Sequence, residues 1–271
     1  MAHESCFKDR YGPWAFVAGG SEGIGGSIAE ALAKKGLNLI LVARNADKLA
    51  RKKDTLEQRH GVQVRTVAFD LSESTKIPSL TAQFSDLDIG LFCHVAHASE
   101  FGVFGELDLA QQLRVVDINV RTLMMLTHWA SGPMLQRRRG GILLVSSMAG
   151  LQGAPFSANY GATKAYEIVL AEGLWHECRP YGVDVLALVA GATDTENYRV
   201  QKLQAPDWYA PRIMSADEVA GEGLKQLGRK PIHIAGASNR LGAIITGRLL
   251  PRSIASKIIG IQNRRLHGMA E

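Results

Sequence analysis

Cysteine is scarce in this chain. Its three cysteines, Cys6, Cys93 and Cys178, are far apart, odd in number and in no C-x-x-C spacing, which argues against a disulfide framework or a zinc site and for a reducing, cytoplasmic setting. Long hydrophobic runs are missing as well. No stretch approaches the ~18 uninterrupted apolar residues of a membrane span, and the opening MAHESCFKDRYGPW has no apolar region of the kind a secretory signal needs. The expectation is a protein neither secreted nor threaded through a bilayer. Internal repeats, low-complexity tracts and a composition break between two domains are also lacking.

Acidic residues are nearly absent from the C-terminal part. Residues 229–271 carry eight Lys/Arg against one acid, whereas the first 228 carry 23 against 25. These basic residues are interleaved with Ile and Leu and come with no aromatic stacking platform, which excludes nucleic acid as the expected partner. The segment 239–268 is read as two helical pieces divided by Pro251, an extension (239–271) of a single domain whose body spans 1–238. It is expected to cover the substrate pocket or a subunit interface, with peripheral contact to an anionic membrane at most.

What the chain does have is a recurring alternation. Apolar, β-rich runs at 14–18, 38–43, 62–69, 89–96, 141–146 and 183–189 alternate with helical patterns, and a seventh, IHIA (232–235), follows a helix. The first six are near-continuous rather than alternating, as strands covered on both faces of a parallel sheet would be. The fold class is therefore α/β, a doubly wound parallel sheet of about seven strands with helices on both faces, a Rossmann fold. Gly36 and Gly61 read as helix stops, and Ser215 with Glu218 as a capping box.

AGGSEGIG (18–25) lies between the first strand and the first core helix. Gly19, Gly23 and Gly25 keep side-chain bulk out of a turn at a helix start, where backbone N–H groups and the helix dipole favour a pyrophosphate. Strand, loop and helix together favour dinucleotide binding over a plain tight turn. At the end of the second strand, an acid that would hold a ribose 2′-OH is missing. Ala43 and Arg44 stand there instead, and a guanidinium suits a 2′-phosphate, hence NADP(H) over NAD(H). Glu22 puts an opposing negative charge in the cradle.

Tyr-x-x-x-Lys occurs twice, at Tyr160/Lys164 and Tyr198/Lys202, and the spacing alone fits an exposed helix pair equally well. Context separates them. Ser147 ends the fifth strand thirteen residues before Tyr160, and Asn119 lies in the helix before that strand. An oxygen that gains negative charge during a reaction needs a proton and an electrostatic partner. Tyr160 can give the proton, and an ammonium at i+4 on the same helix face favours the phenolate.

With the cradle, Asn119, SSMAG, YGATK and AGATDT together, residues 14–236 resemble the short-chain dehydrogenase/reductase family, in its ketoreductase and hydroxysteroid dehydrogenase-like branches. The resemblance implies hydride transfer between NADP(H) and a bulky apolar ketone or secondary alcohol, with Asn119, Ser147, Tyr160 and Lys164 catalytic. It implies that Lys164 also holds the nicotinamide ribose and that Asn119 organises a water in a proton relay. Cofactor contacts carry over to Gly19, Ser21, Gly23, Ile24, Gly25, Arg44, Asp70, Leu71, Ala96, Tyr160, Lys164, Gly191, Thr193 and Thr195. A dimer or tetramer and a small-molecule substrate are implied, and no metal.

The chain departs from the family at His94–His97, where Asn-Asn-Ala-Gly is usual and only Ala96 agrees, and at Ala190, where Pro is usual. The first departure keeps a second reading open, a catalytically silent NADP(H)-binding protein of the same fold. The long connection 191–214, with Tyr198, Trp208 and Tyr209, is read as a substrate lid.

Overall fold

The computed structural model describes residues 2–200 and 213–266. Seven parallel strands form one sheet: β1 (Trp14–Ala18), β2 (Asn38–Ala43), β3 (Val64–Ala68), β4 (Ile89–His94), β5 (Gly140–Ser147), β6 (Val183–Ala190) and β7 (Ile232–Ile234). Their order is β3-β2-β1-β4-β5-β6-β7. The chain leaves β1 in one direction and returns at β4 to build in the other, so the carboxyl ends of β1 and β4 flank the crevice where such sheets bind ligands. Every residue of β1, β4 and β6 is buried, which is why their sequences are unbroken apolar runs. β3 departs from that expectation. It is an edge strand with only Val64 buried, so Arg65 and Thr66 are tolerated there.

Helices cover both faces. On one lie α2 (Gly23–Lys34), α3 (Ala46–His60) and α7 (Ala216–Gln226), and on the other α4 (Leu109–Val116), α5 (Leu123–Gln136) and α6 (Ala158–Cys178). Gly61 ends α3 in the left-handed conformation, φ 65°. Ser215 and Glu218 form the reciprocal capping box at the start of α7. A π-helical turn, Asp117–Thr122, joins α4 to α5; such widened turns recur at functional sites.

The polar N-terminal segment forms a helix, α1 (Ala2–Tyr11), that the apolar pattern does not signal. Its Tyr11 hydroxyl donates to Asp184 (2.7 Å) and Arg10 pairs with the same carboxylate. A Cβ on Gly141 would come within 2.9 Å of the Tyr11 ring, so that glycine makes room for it at the start of β5.

After β6, Thr193–Asp194 pairs with Met214–Ser215 and ties together the two ends of the 191–214 connection. A short helix, Glu196–Val200, lies within it. Lys202, Trp208 and Tyr209 lie outside the described residues, as does half of the expected lid. Beyond β7, α8 (Ala237–Ile244) runs into a π-helical turn (Ile245–Leu249), and past Pro251 comes α9 (Arg252–Leu266). Among the described residues no helix is long and apolar enough to cross a membrane.

Candidate active site

The glycine cradle is tight for backbone reasons. Gly19 has φ 88°, and a Cβ on it would meet the Ala96 nitrogen at 2.6 Å. A Cβ on Gly25 would lie 1.9 Å from the Gly19 carbonyl oxygen, so this glycine lets α2 start directly against the loop. Gly23 faces Thr195, whose Cγ2 would be 3.2 Å from an added Cβ, which brings the segment after β6 to the cradle. Ser21 and Ile24 lie in the same turn. Ala96 and Val95 both donate their backbone N–H to the Ala18 carbonyl (2.9 Å each), so the HVAH segment sits directly beside the cradle. Glu22 makes no side-chain bond to the N-terminus of α2; its carboxylate accepts from Lys48 Nζ (2.6 Å), which also bonds Glu196 (2.7 Å). The opposing charge is thus partly offset by a cation that Glu22 shares with Glu196.

Arg44 is exposed at the end of β2, next to Asn45, whose side chain caps α3 by accepting from Lys48 N (2.9 Å). Lys48, Arg51 and Lys52 line an open groove with Ser21, so the ground beside the cradle is rich in cations. Asp70 is engaged: it accepts from the Ser72 amide and hydroxyl and from Arg114. Burial pushes its carboxyl up, but Ser72 and Arg114 outweigh this and hold it below the usual range. The Leu71 carbonyl accepts from Thr122 (2.7 Å). Thr193 Oγ1 donates to the Gly191 carbonyl (3.0 Å), and a Cβ on Gly191 would strike Asn239 at 2.4 Å.

The catalytic candidates converge on the N-terminal half of α6. Ser147 ends β5 and its Oγ accepts from Ala149 N (3.2 Å), while the turn it starts packs on α6: a Cβ on Gly150 would meet the Lys164 backbone at 2.6 Å. Ser146 fixes the same junction by donating to the Lys164 carbonyl (2.7 Å). The Tyr160 ring lies between His97 and Phe101, each 6.3 Å away between ring centroids, with Lys164 Nζ 5.9 Å from its centroid. Asn119 is fully buried in the π-helical turn. It accepts from Ala98 N and donates to Ala98 O and Thr163 Oγ1, all at 2.9 Å. Its side chain therefore holds the segment after β4 against α6.

Lys164 is buried, and its ammonium bonds the Val145 carbonyl (3.0 Å) and both Glu167 oxygens (2.8 and 3.0 Å). Burial pushes the Glu167 carboxyl up to about 7, although Lys164 and the Ser146 hydroxyl pull it down. His94 is completely buried and neither ring nitrogen has a protein partner. Burial, then the Lys164 and His97 charges, drive its pKa down to about 3. His97, whose ring reaches solvent, is pushed the same way by the protein around it and by Lys164. Both imidazoles are neutral at pH 7. Among the described residues no group of three or more His, Cys, Asp or Glu could hold a metal ion.

Residues 13–205 match the family model for short chain dehydrogenase. The chain belongs to the short-chain dehydrogenase/reductase family. It is 35% identical over 234 residues to a 7beta-hydroxysteroid dehydrogenase of Clostridium sardiniense, covering 86% of this chain and 89% of that one. A solved structure described under 7beta-hydroxysteroid dehydrogenase stereoselectivity superposes with a TM-score of 0.89 at 25% identity, over 94% of this chain and 99% of that one. A short-chain dehydrogenase from Sphingobium yanoikuyae in complex with NADPH gives 0.75 at 26% identity, over 88% and 94%. As a short-chain dehydrogenase/reductase the protein is an NAD(P)-dependent oxidoreductase.

Sequence reasoning missed three features of this site. Glu167 was the most legible, a third polar residue at i+7 from Tyr160 on a stripe that otherwise faces the sheet. The ring contacts of His97 and Phe101 with Tyr160 carry no local signal. The Lys48 bridge spans separate elements and is equally silent in sequence.

Proposed function

We propose that the protein is an NADP(H)-dependent oxidoreductase that interconverts a ketone and a secondary alcohol on a bulky apolar substrate of the hydroxysteroid class. The observation that carries the reading is Tyr160 and Lys164 on one face of α6, next to the Ser147 end of β5, on the same sheet edge as the glycine cradle. The cradle fits a dinucleotide: a Cβ at Gly19 or Gly25 would fill the space against its own backbone, and α2 begins there. Gly19, Ser21, Gly23, Ile24 and Gly25 would hold the pyrophosphate, Arg44 the 2′-phosphate, and Asp70, Leu71, Ala96, Gly191, Thr193 and Thr195 the remainder. The bound nicotinamide supplies the hydride.

The chain's own residues handle the oxygen and the proton. Tyr160 donates its hydroxyl proton to the carbonyl oxygen as charge develops there, and Ser147 Oγ donates a hydrogen bond to the same atom. The Lys164 ammonium favours the phenolate that remains. Asn119 keeps the wall of the cleft in register through Ala98 and Thr163. A cavity of about 160 Å³ lined mainly by Val103, Phe104, Leu107 and Phe156, with Glu100, Gln112 and Asn159 as its polar groups, supports an apolar substrate, as do the steroid dehydrogenases among the relatives.

The assembly is read as a homo-oligomer in the cytoplasm, with the C-terminal helices as capping and interface elements and weak membrane contact at most. α9 caps the loop before Tyr160: Asn263 donates to the Pro155 carbonyl (2.8 Å) and Arg264 lies over Phe156. Leu241 and Ile244 on α8 and Ile245 and Leu249 on the π-helical turn after it are exposed, and so are Ile254, Ile258 and Ile261 on α9; a second copy of the chain would bury such residues. Truncation after Ala237 is expected to change the oligomeric mass or the substrate affinity, and unchanged mass and kinetics with salt-sensitive vesicle binding lost would make the tail a membrane anchor instead.

Oxidation of NADPH against a panel of steroid ketones, fatty-acyl ketones and simple ketones, with NADH in parallel, tests the main reading. Turnover of a bulky ketone with NADPH is expected. Tight NADPH binding without turnover on any of them would make the chain a silent NADP(H)-binding protein.

A further inference from the structure

Tyr160, Lys164 and Glu167 are spaced i, i+4, i+7, so one stripe of α6 carries a phenol, an ammonium and a carboxylate in that order. The ammonium has acceptors for all three of its hydrogens inside the protein: Glu167 Oε1 at 2.8 Å, Glu167 Oε2 at 3.0 Å and the Val145 carbonyl at 3.0 Å. Both side chains are out of solvent, 2% exposed for Lys164 and 0% for Glu167. A buried, charge-assisted pair of this kind holds its geometry because either ion alone would be strongly disfavoured there.

Lys164 is the charge that acts on His94, His97 and Glu167 alike. β4 contributes His94 and the segment after it His97, both neutral. β5 contributes the Val145 carbonyl and the Ser146 hydroxyl, and the π-helical turn contributes Asn119. Lys164, 5.9 Å from the Tyr160 ring centroid, therefore bears on the electrostatics at that ring, and so does whatever sits against Lys164.

We propose that Glu167 is a positioning residue for Lys164: its carboxylate anchors the ammonium on the β5 side of α6 and limits how far Lys164 stabilises the Tyr160 phenolate. The proposal rests on the reading of Tyr160 and Lys164 as the acid/base pair. A lone ammonium in a low-dielectric site acts on a nearby phenol with its full charge, whereas an ammonium with an anion at 2.8 Å acts as a dipole, whose field falls off faster. Limiting that stabilisation favours the phenol over the phenolate, and the phenol is the form that a carbonyl reductase needs as donor. Burial also raises the Glu167 carboxyl, so the anchor is strongest where that group is ionised.

The test uses cofactor-free protein as well as turnover. Tyrosinate absorbance is followed against pH for each protein and for the same protein carrying Tyr160→Phe, and the difference isolates the Tyr160 phenol. Glu167→Gln keeps the shape and removes the charge, so its Tyr160 midpoint should move down by about one pH unit. The pH of half-maximal alcohol oxidation should move down with it. Glu167→Asp keeps the charge on a shorter arm and should move in the same direction by less. A Glu167→Gln protein with native near-UV circular dichroism and an unmoved Tyr160 midpoint would overturn the proposal, even if it were slower at every pH. Should the Gln variant fail to fold, an unmoved midpoint in Glu167→Asp overturns it equally. Absence of turnover on every ketone would remove the proposed function and leave the titration result standing.

Discussion

Two lysine–glutamate pairs in this molecule have nearly the same contact distance and opposite settings. At the cradle Lys48 lies 2.6 Å from Glu22, with the side chains 28% and 48% exposed. On the buried face of α6 Lys164 lies 2.8 Å from Glu167, with the side chains 2% and 0% exposed. Water already solvates the first pair, and salt screens it, so holding the two ions together changes little. The second pair has lost its hydration, and each ion depends on the other. Distance alone thus does not rank the two; burial does.

The sharpest way to break this comparison is to remove one ion. Glu167→Leu should lower unfolding stability by about 3–5 kcal/mol by leaving Lys164 charged and unmatched, and Glu167→Leu combined with Lys164→Met should recover most of it, both read by urea denaturation. Recovery of nothing in the double variant would show that packing, not charge, governs the site. Next in size is Arg44→Ala, on the exposed side. If Arg44 pairs a 2′-phosphate, NADPH binding should weaken by about 1.5–3 kcal/mol and NADH binding hardly at all in titration calorimetry. Equal losses would remove that assignment.

A smaller effect concerns His94, the other buried ionisable group beside Lys164. Its pKa is about 3 in the fold against ~6.5 in the unfolded chain. Between those values the unfolded chain binds the extra proton, so this contribution is full above about pH 6.5 and is lost as pH falls towards 3. Glu167, with its raised carboxyl, works in the other sense, contributing most below its unfolded value and losing this as pH rises through about 7. That contribution is common to wild type and variant and cancels between them. From pH 6.5 to 5 the wild type should therefore lose roughly 1.5–2 kcal/mol more than His94→Asn; equal losses would mean that His94 takes up its proton in the fold as readily as in the unfolded chain. The smallest effect is expected at the cradle, where Glu22→Gln should leave the melting temperature unchanged within error at moderate salt.

The sheet was legible because both-face burial makes strands such as VDVLALV unbroken apolar runs, and the capping box at Ser215 and the left-handed Gly61 are local chemistry that needs no tertiary knowledge. β3 was read as one of six alike, although an edge position exposes it. α1 is mostly polar, packs Phe7 and Tyr11 against the core, and docks through Tyr11 and Arg10 onto Asp184, 173 residues away in sequence for Tyr11, so no window of sequence reveals it. At the site, the order Asn119, Ser147, Tyr160, Lys164 could be picked out because its members keep a spacing. Glu167 was passed over because a glutamate in a helix usually faces solvent, and only the sheet packed against α6 shows that this one does not. The redirected side chain of Asn119, bonded to Ala98 and Thr163, likewise follows from the π-helical turn rather than from any motif.

The central claim is that Tyr160 is the acid/base on a working nicotinamide site. Tyr160→Phe keeps the ring between His97 and Phe101 and removes only the hydroxyl. Single-turnover reduction of a steroid ketone that the wild type accepts, followed by NADPH absorbance, should slow by at least ~10²-fold while the NADPH dissociation constant stays within error of wild type. A Tyr160→Phe protein that reduces the ketone at the wild-type rate, or one that loses activity only because it no longer binds NADPH, would contradict it.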